Sequence, residues 1–511
     1  MVHKHLTLAA AVFVATLTAS TAAHAFCGFY VSGAEASLYN DATMVVMLRE
    51  GKRTVLSMQN NYAGPPEDFA MVVPVPVVLQ EENVKTLDEQ VFADVDRQAS
   101  PRLVEYWERD PCWEPEDELE TLLDGVDLRR DRDMPSMAEG AGGSVRIEAQ
   151  FKVGEYDIVI LGADDSSALD TWLRGNKYRI PEGAEPVLRP YIEAGMYFFV
   201  AKVDATKVKF VEGRVKLSPL RFHYDSETFS LPVRLGLLNA RGPQDLLVHI
   251  LGQGQRYELA NMPNVTIPTN LGVSDGVKGR FGEFYASLFD RTLAMRPGAV
   301  VTEYAWASET CDPCPGPVIR PDQLMALGVD TLEEQNPWGW VLTRLHARYS
   351  ATDLKDDLVF RAARPIVGGR EVVGAGGELE HGAREDSQNN FQGRYIIRHP
   401  WEGEIDCESP VRGVWGGPPE GGGVGVEPAL DTAYAPRGQL ELASVLRTPA
   451  PEIGFDRGSL APVSAVEPVD PESELTGGCG SCAVAPSRGV PWAPGAVVAC
   501  VFGLWVWRRR R

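Results

Sequence analysis

Apolar and polar positions alternate with a period of two along much of this chain, the spacing of half-buried strands. "TMVVMLRE" and "RTVLSMQN" flank the turn residues Glu50 to Lys52 and read as a hairpin, inside a strand-like stretch that begins at Cys27. "FAMVV" reads as a buried strand. Pro74 and Pro76 follow it without ladder donors, so this strand is expected at a sheet edge or leaving the sheet there. Further strands are predicted at "VRIEAQFKVGEYDIVILGAD", "MYFFVAKVD", "KFVEGRVKLSPLRFHY", "FSLPVRLGLL", "QDLLVHILG", "RYELANM", "VVTEYAWAS" and "GWVLTRLHARYS".

Elsewhere the spacing turns helical. Val84, Leu87, Val91 and Val95 predict a helix from Asn83 to about Asp110, broken or restarted at Pro101, with Cys112 near its end. Leu169, Trp172 and Leu173 predict a second helix, preceded and capped by Asp164, Asp165 and the serines of "GADDSS". "AEPVLRPYIEAG" fits a third, kinked or split at Pro190, and a fourth runs from Phe281 to Met295 with an aromatic face that reads as core. The sum is an α+β, strand-rich chain: antiparallel or mixed β-sheets covered by a few helices. The expected body spans 26–400, divisible into two subdomains, with a charged, Gly-rich exposed loop at 115–143. Residues 401–476, rich in Gly, Pro and acids, read as a semi-extended linker.

The two ends change the picture from fold to address. His3, Lys4 and His5 precede an apolar run, and "AHA" has the form of a signal-peptidase site, which predicts a signal peptide over 1–25 with cleavage after Ala25. Phe26 is too large for a lipobox, which argues against lipidation of Cys27. At the other end, residues 477–511 hold "GGCGSC", a short apolar segment with Pro491 and Pro494, and Arg508 to Arg511. That segment is marginal against the about 20 apolar residues of a spanning helix. The arginines place it with the body outside the cytoplasm. The tail resembles the MYXO-CTERM class of sorting signals, which implies processing near Cys479 or Cys482 by a membrane protease and delivery to the cell surface.

Composition excludes more than it identifies. A formal charge of -22 over 511 residues leaves no basic stripe for nucleic acid beyond the terminal arginines. Of eight cysteines, Cys500 lies in the apolar segment and Cys479 and Cys482 in the tail motif. Cys27, Cys112, Cys311, Cys314 and Cys407 remain as disulfide candidates of unassignable connectivity. Cys311 and Cys314 form a C-x-x-C that is open to three readings: redox pair, half zinc site or local bridge. No second pair stands at zinc spacing. Pro313, Pro315 and Pro317 block the helix a thioredoxin-like motif would open, which favours the bridge.

"FCGFYV", "NNYAGPPEDFAMVVPVP", "ALDTWLRGNKYRIP", "YIEAGMYFFVAKVD", "PLRFHYDSETFSLPVRLGLL" and "TRLHARYSATDLKDDLVF" occur in order between about Phe26 and Arg361. Together they resemble the family called domain of unknown function 2330. The resemblance implies a bacterial exported protein with an anchoring or sorting tail, and carries over no activity, cofactor or catalytic residue.

No metalloprotease, nucleophile-elbow, phosphate-loop or calcium-hand pattern is present. His223, His249, His346, His381 and His399 are widely spaced and read as structural or exposed, although His223 and His346 lie in strands that could meet across a sheet. Glu67 and Asp68 read as a solvated pair at a proline turn rather than an acid–base couple. No catalytic residue, cofactor or metal ligand is assigned. Two functions stand: a non-enzymatic surface protein that binds an envelope component or polysaccharide through its sheet faces, or an exported enzyme or thiol–disulfide protein using Cys311 and Cys314.

Overall fold

The computed structural model describes residues 29–31, 39–40, 44–59, 62–63, 70–113, 145–176, 183–211, 214–239, 243–350, 354–372, 379–419, 424–430 and 438–460. The signal sequence, Cys27, Glu67 and Asp68, the 115–143 loop and the tail with Cys479 and Cys482 lie outside them.

β1 (Met44–Glu50) and β2 (Arg53–Met58) form the expected hairpin, turned by Gly51 at a φ of 54°, a backbone state that glycine adopts without strain. β3 (Ala70–Val75), β4 (Val84–Thr86), α1 (Glu89–Ala99) and β5 (Arg102–Glu108) follow. β6 (Val145–Val153) and β7 (Tyr156–Ala163) make a second hairpin before α2 (Ser166–Gly175), α3 (Ala184–Glu193) and β8 (Tyr197–Val203). Then come β9 (Leu220–Asp225), β10 (Gln244–Gln253), α4 (Phe281–Met295), β11 (Val300–Ala307) and β12 (Trp340–Tyr349). β13 (Asn390–Gln392), β14 (Arg394–His399) and β15 (Gly425–Pro428) complete the set used below.

An eleven-stranded sheet carries the run β13-β11-β12-β10-β1-β2-β9-β4, antiparallel except where β10 lies parallel to β1. A five-stranded antiparallel sheet, Phe29–Val31 then β3-β8-β7-β6, packs on it. Met47, Leu56, Ile250 and Leu345 from the first sheet meet Val73, Ile158 and Phe199 from the second in the main core. α2 and α3 cover the outer face of the small sheet through Leu169, Leu173, Leu188 and Tyr191. On the other face of the large sheet, α1 buries Val91, Phe92 and Val95 against Val46, Leu48 and Leu342. Beside it α4 buries Phe281, Phe284 and Leu288 with Val301 and Ala305. α1 and α4 therefore both shelter β11 and β12, and charged side chains lie in the gap between them.

Several expectations needed correction. The helix expected over Asn83 to Asp110 is confined to Glu89–Ala99: Val84 belongs to a strand, and after Pro101 the chain extends as β5. β5 is buried on both faces, so its residues show no clean alternation to tell strand from helix. "FSLPVRLGLL" is mostly a 3-10 turn, Arg234–Asn239, after the two-residue strand Ser230–Leu231; Pro232 ends the ladder. Pro74 sits inside β3 and opposite Phe198. Phe29–Val31 pairs only as far as Val72, so the proline lies where that neighbour has ended. The α3 helix runs through Pro190 unbroken.

The stretch from 401, read from composition as a linker, packs as far as residue 460. β15 pairs with β5, and Leu442, Val445, Leu446 and Ile453 are buried in the α4 core. β5 thus lies between β14, parallel to it with Arg102 beside Arg394, and the later strands Trp415–Gly416 and β15.

Candidate functional sites

Four of the five candidate body cysteines pair. Cys112 bonds Cys407 across a sequence separation of 295, with Cα atoms 5.6 Å apart. Cys311 bonds Cys314 with Cα atoms 5.0 Å apart. Both Cα spacings suit a disulfide. On a chain-entropy view the long loop contributes about 6 kcal/mol and the C-x-x-C only about 2. Spacing predicted neither partner of the first pair, because β5 and the 401–419 segment meet only through tertiary packing.

The C-x-x-C loop sits above three fully buried side chains, which are 0–1% exposed. Gln98 of α1 donates its Nε2 to Ser308 O at 2.8 Å, and its Oε1 accepts from Ile319 N at 2.7 Å. Arg102 of β5 donates Nη1 to Pro313 O at 2.8 Å and Nη2 to Gln98 O at 2.6 Å. Gln392 of β13 donates Nε2 to Asp312 O and, at 2.8 Å, to Gly369 O. Arg102 also lies over the Tyr304 ring, 5.6 Å from its centroid. Next to it Arg394, fully buried, donates to Asn270 Oδ1 and to the Tyr106 hydroxyl, both at 2.9 Å. Among the described residues neither arginine forms an ion pair with a carboxylate. Burial brings Arg102 down to about 10, and the neighbouring Arg394 pushes the same way.

A second buried cluster has the opposite character. β12 presents Arg344, His346 and Arg348 at every other position, and β10 presents Asp245 and His249 opposite them. Glu303 stands where the β11–β12 register slips between Thr302 and Tyr304, a bulge that aims its carboxylate at the partner strand. Arg344 donates Nε to Glu303 at 2.6 Å and Nη1 to Asp96 of α1 at 2.5 Å. His346 Nδ1 meets Glu303 at 2.8 Å, and the Tyr285 hydroxyl of α4 donates to the same carboxylate. Asp245 Oδ1 approaches His346 Nε2 at 3.4 Å, close enough for attraction though outside good hydrogen-bond geometry. Phe289 stacks on the imidazole at 3.8 Å between centroids, and Arg348 bridges Asp245 and Asp290.

Burial alone would lower His346, but Glu303 and Asp245 on its two sides outweigh it and raise it, favouring the charged imidazole. Burial alone would raise Glu303, yet His346 and Arg344 hold it well below the usual carboxylate range. His249 is driven the other way: burial, then repulsion from Arg344, keeps it neutral.

The remaining sequence candidates are dispersed. His223 lies on β9, four strands from His346, bonded to Asn83 and pushed by burial down to about 4. His381 meets Glu452 at 3.2 Å, and His399 meets Glu105 at 3.0 Å while stacking on Trp107. Asp165 caps α2 by accepting from Ala168 N at 2.7 Å, as its position predicts, and Asp164 pairs with Arg146 at 2.8 Å. The Glu303–His346–Arg344 network went unseen in the sequence. Its signal was the period-two spacing of charged residues, R-L-H-A-R, in a strand apolar enough to be buried. Among the described residues no group of three or more His, Cys, Asp or Glu is arranged to hold a metal ion. Among them, too, no helix is long and apolar enough to cross a membrane.

No curated protein and no solved structure matches this chain. A family model does match, over residues 21–361, the range the ordered sequence motifs span. The chain therefore belongs to the family described as an uncharacterized protein conserved in bacteria, domain of unknown function 2330.

Proposed function

We propose that this is an exported protein of the bacterial envelope, displayed outside the cytoplasm through its C-terminal segment and acting by binding or structure rather than catalysis. The Cys112–Cys407 bond carries the reading. It joins segments separated by 295 residues, and such bonds persist in oxidising compartments. The signal-like start and the Cys-apolar-Arg tail agree with it. The buried charges support a scaffold: Glu303, Arg344, His346 and Asp245 are matched to one another at side-chain exposures of 0–4%. Signal peptidase, cutting after Ala25, and a membrane protease acting near Cys479 or Cys482 are the processing partners; the surface ligand is an envelope component.

Intact mass and fractionation of the native protein from its own cells test this. The expected form begins at Phe26, ends near Cys479 or Cys482, is recovered at the surface and resists alkylation at Cys112 and Cys407. A cytoplasmic protein that retains Met1 and has both thiols free would overturn it.

A further inference from the structure

We propose that Cys311 and Cys314 are a redox-addressable pair, a disulfide that an external dithiol opens and an oxidant recloses while the fold around it stays intact.

The first support is what holds the loop. The chain from Ser308 to Ile319 hangs from the core by Gln98, Arg102 and Gln392, which take hold of Ser308 O, Asp312 O, Pro313 O and Ile319 N. At its start Trp306 Nε1 donates to Thr310 Oγ1 at 3.1 Å, and Ser308 N donates to Trp340 O at 2.7 Å. Farther along, Gly316 lies so close to Arg97 that a Cβ there would fall 2.9 Å from Arg97 Cδ. None of these contacts runs through sulfur. The disulfide closes a four-residue segment already shaped from beneath, so opening it releases little of the loop.

The second support is access. Cys314 is exposed and Cys311 half-buried, so an incoming thiolate reaches Cys314 first. The third is charge. Pro313, between the two cysteines, rests its carbonyl on the Arg102 guanidinium, and Arg102 and Arg394 form no carboxylate pair among the described residues. Cationic surroundings favour a thiolate as leaving group, the part that a helix N-terminus plays in other C-x-x-C sites and that the prolines forbid here. Asp312 and Glu309 are the opposing charges on the loop itself, and both border solvent.

The step balances. One thiolate of a dithiol attacks Cys314 Sγ; the S–S bond breaks, and its electron pair leaves on Cys311 Sγ, which takes a proton. The second thiol of the reductant then attacks its own sulfur in the mixed disulfide and frees Cys314 as a thiol. Two electrons and two protons pass to the protein, and the dithiol departs as a cyclic disulfide.

The experiment holds the full mature protein in dithiothreitol buffers of graded oxidised-to-reduced ratio, traps thiols with iodoacetamide and maps the labelled peptides. Near-UV circular dichroism is recorded in parallel. The expected result is that Cys311 and Cys314 label at least about tenfold earlier in the series than Cys112 and Cys407, with the spectrum unchanged and reoxidation complete. Joint opening of both bonds, or opening only with loss of the spectrum, would overturn the proposal. Gln392→Ala, which removes one hold without touching charge, should make the pair harder to reclose, whereas an unchanged reoxidation rate would mean that the loop is not held from beneath. In the reduced protein, Arg102→Gln should move the pH profile of Cys311 alkylation upward; an unmoved profile would remove the guanidinium from the account. Surface recovery of a protein whose C-x-x-C stays inert would sink this inference alone and leave the display role standing.

Discussion

Arg344 and Arg102 are both arginines with fully buried side chains on strands, but their surroundings differ in kind. Arg344 is neutralised by carboxylates from two other elements, Glu303 and Asp96. Arg102 is met by main-chain carbonyls, from the last turn of α1 and from the C-x-x-C loop. The first arrangement locks α1, α4 and the sheet together by matched charge. The second leaves positive charge in the core and uses it to shape a surface loop. A buried cation can therefore be a rivet or a pedestal, and its partners, rather than its depth, decide which.

The same substitution at both positions separates them. Arg344→Met takes the guanidinium from Asp96 and leaves Glu303 with His346 and Tyr285 only, and should cost about 3–5 kcal/mol in urea unfolding. Arg102→Met leaves carbonyls unpaired but keeps a long apolar stem over Tyr304, and should cost about 1–3 kcal/mol, with proteolysis between Ser308 and Ile319 rising more than elsewhere. Equal losses would erase the distinction. A smaller effect sharpens it through pH. His346 is raised above its unfolded value of 6.5, so its contribution is complete below that pH and fades as pH climbs through the higher folded value. Glu303 and Asp245 are lowered, so theirs is complete above about 4.5 and fades as acid protonates them in the fold. Those groups alone would leave stability level from about 4.5 to 6.5. His249 and His223, kept neutral in the fold, take up protons only in the unfolded chain below 6.5 and subtract stability there. Thermal melting should therefore peak near pH 6.5 and fall on both sides. His346→Gln should abolish the alkaline fall and shrink the part of the acid fall that Glu303 supplies, and an unchanged alkaline limb would assign it to another group.

Local pattern carried much of this fold. The β1–β2 hairpin, the α4 boundaries and the Asp165 cap follow from periodicity and turn chemistry within about fifteen residues. What failed was set by distant partners. β5 passed for helix because both of its faces are covered, one of them by Leu379, Ile396, Trp415 and Val424, which come far later in the chain. Leu442, Val445 and Ile453 passed for linker because the surface that buries them belongs to α4. Of the candidate sites, the C-x-x-C was legible and its fixing from beneath was not: Gln98, Arg102 and Gln392 have no common sequence signature. The R-L-H-A-R spacing was legible as a charged stripe, yet its meaning waited on Glu303 and the bulge that turns it inward.

The late partners of β5 have a consequence for how the chain is made. Its parallel neighbour β14, its antiparallel neighbour β15 and the cysteine that secures it all lie beyond residue 390, outside the span of the family match. At roughly 5–20 residues per second of synthesis, β5 emerges tens of seconds before anything can pair with either of its edges. Throughout that interval Val104 and Tyr106, whose packing partners are Leu379, Ile396, Trp415 and Val424, are a naked apolar patch between two open edges. A fragment that stops at Arg361 would keep them so permanently, and the family segment taken alone would be a poor candidate for a soluble domain.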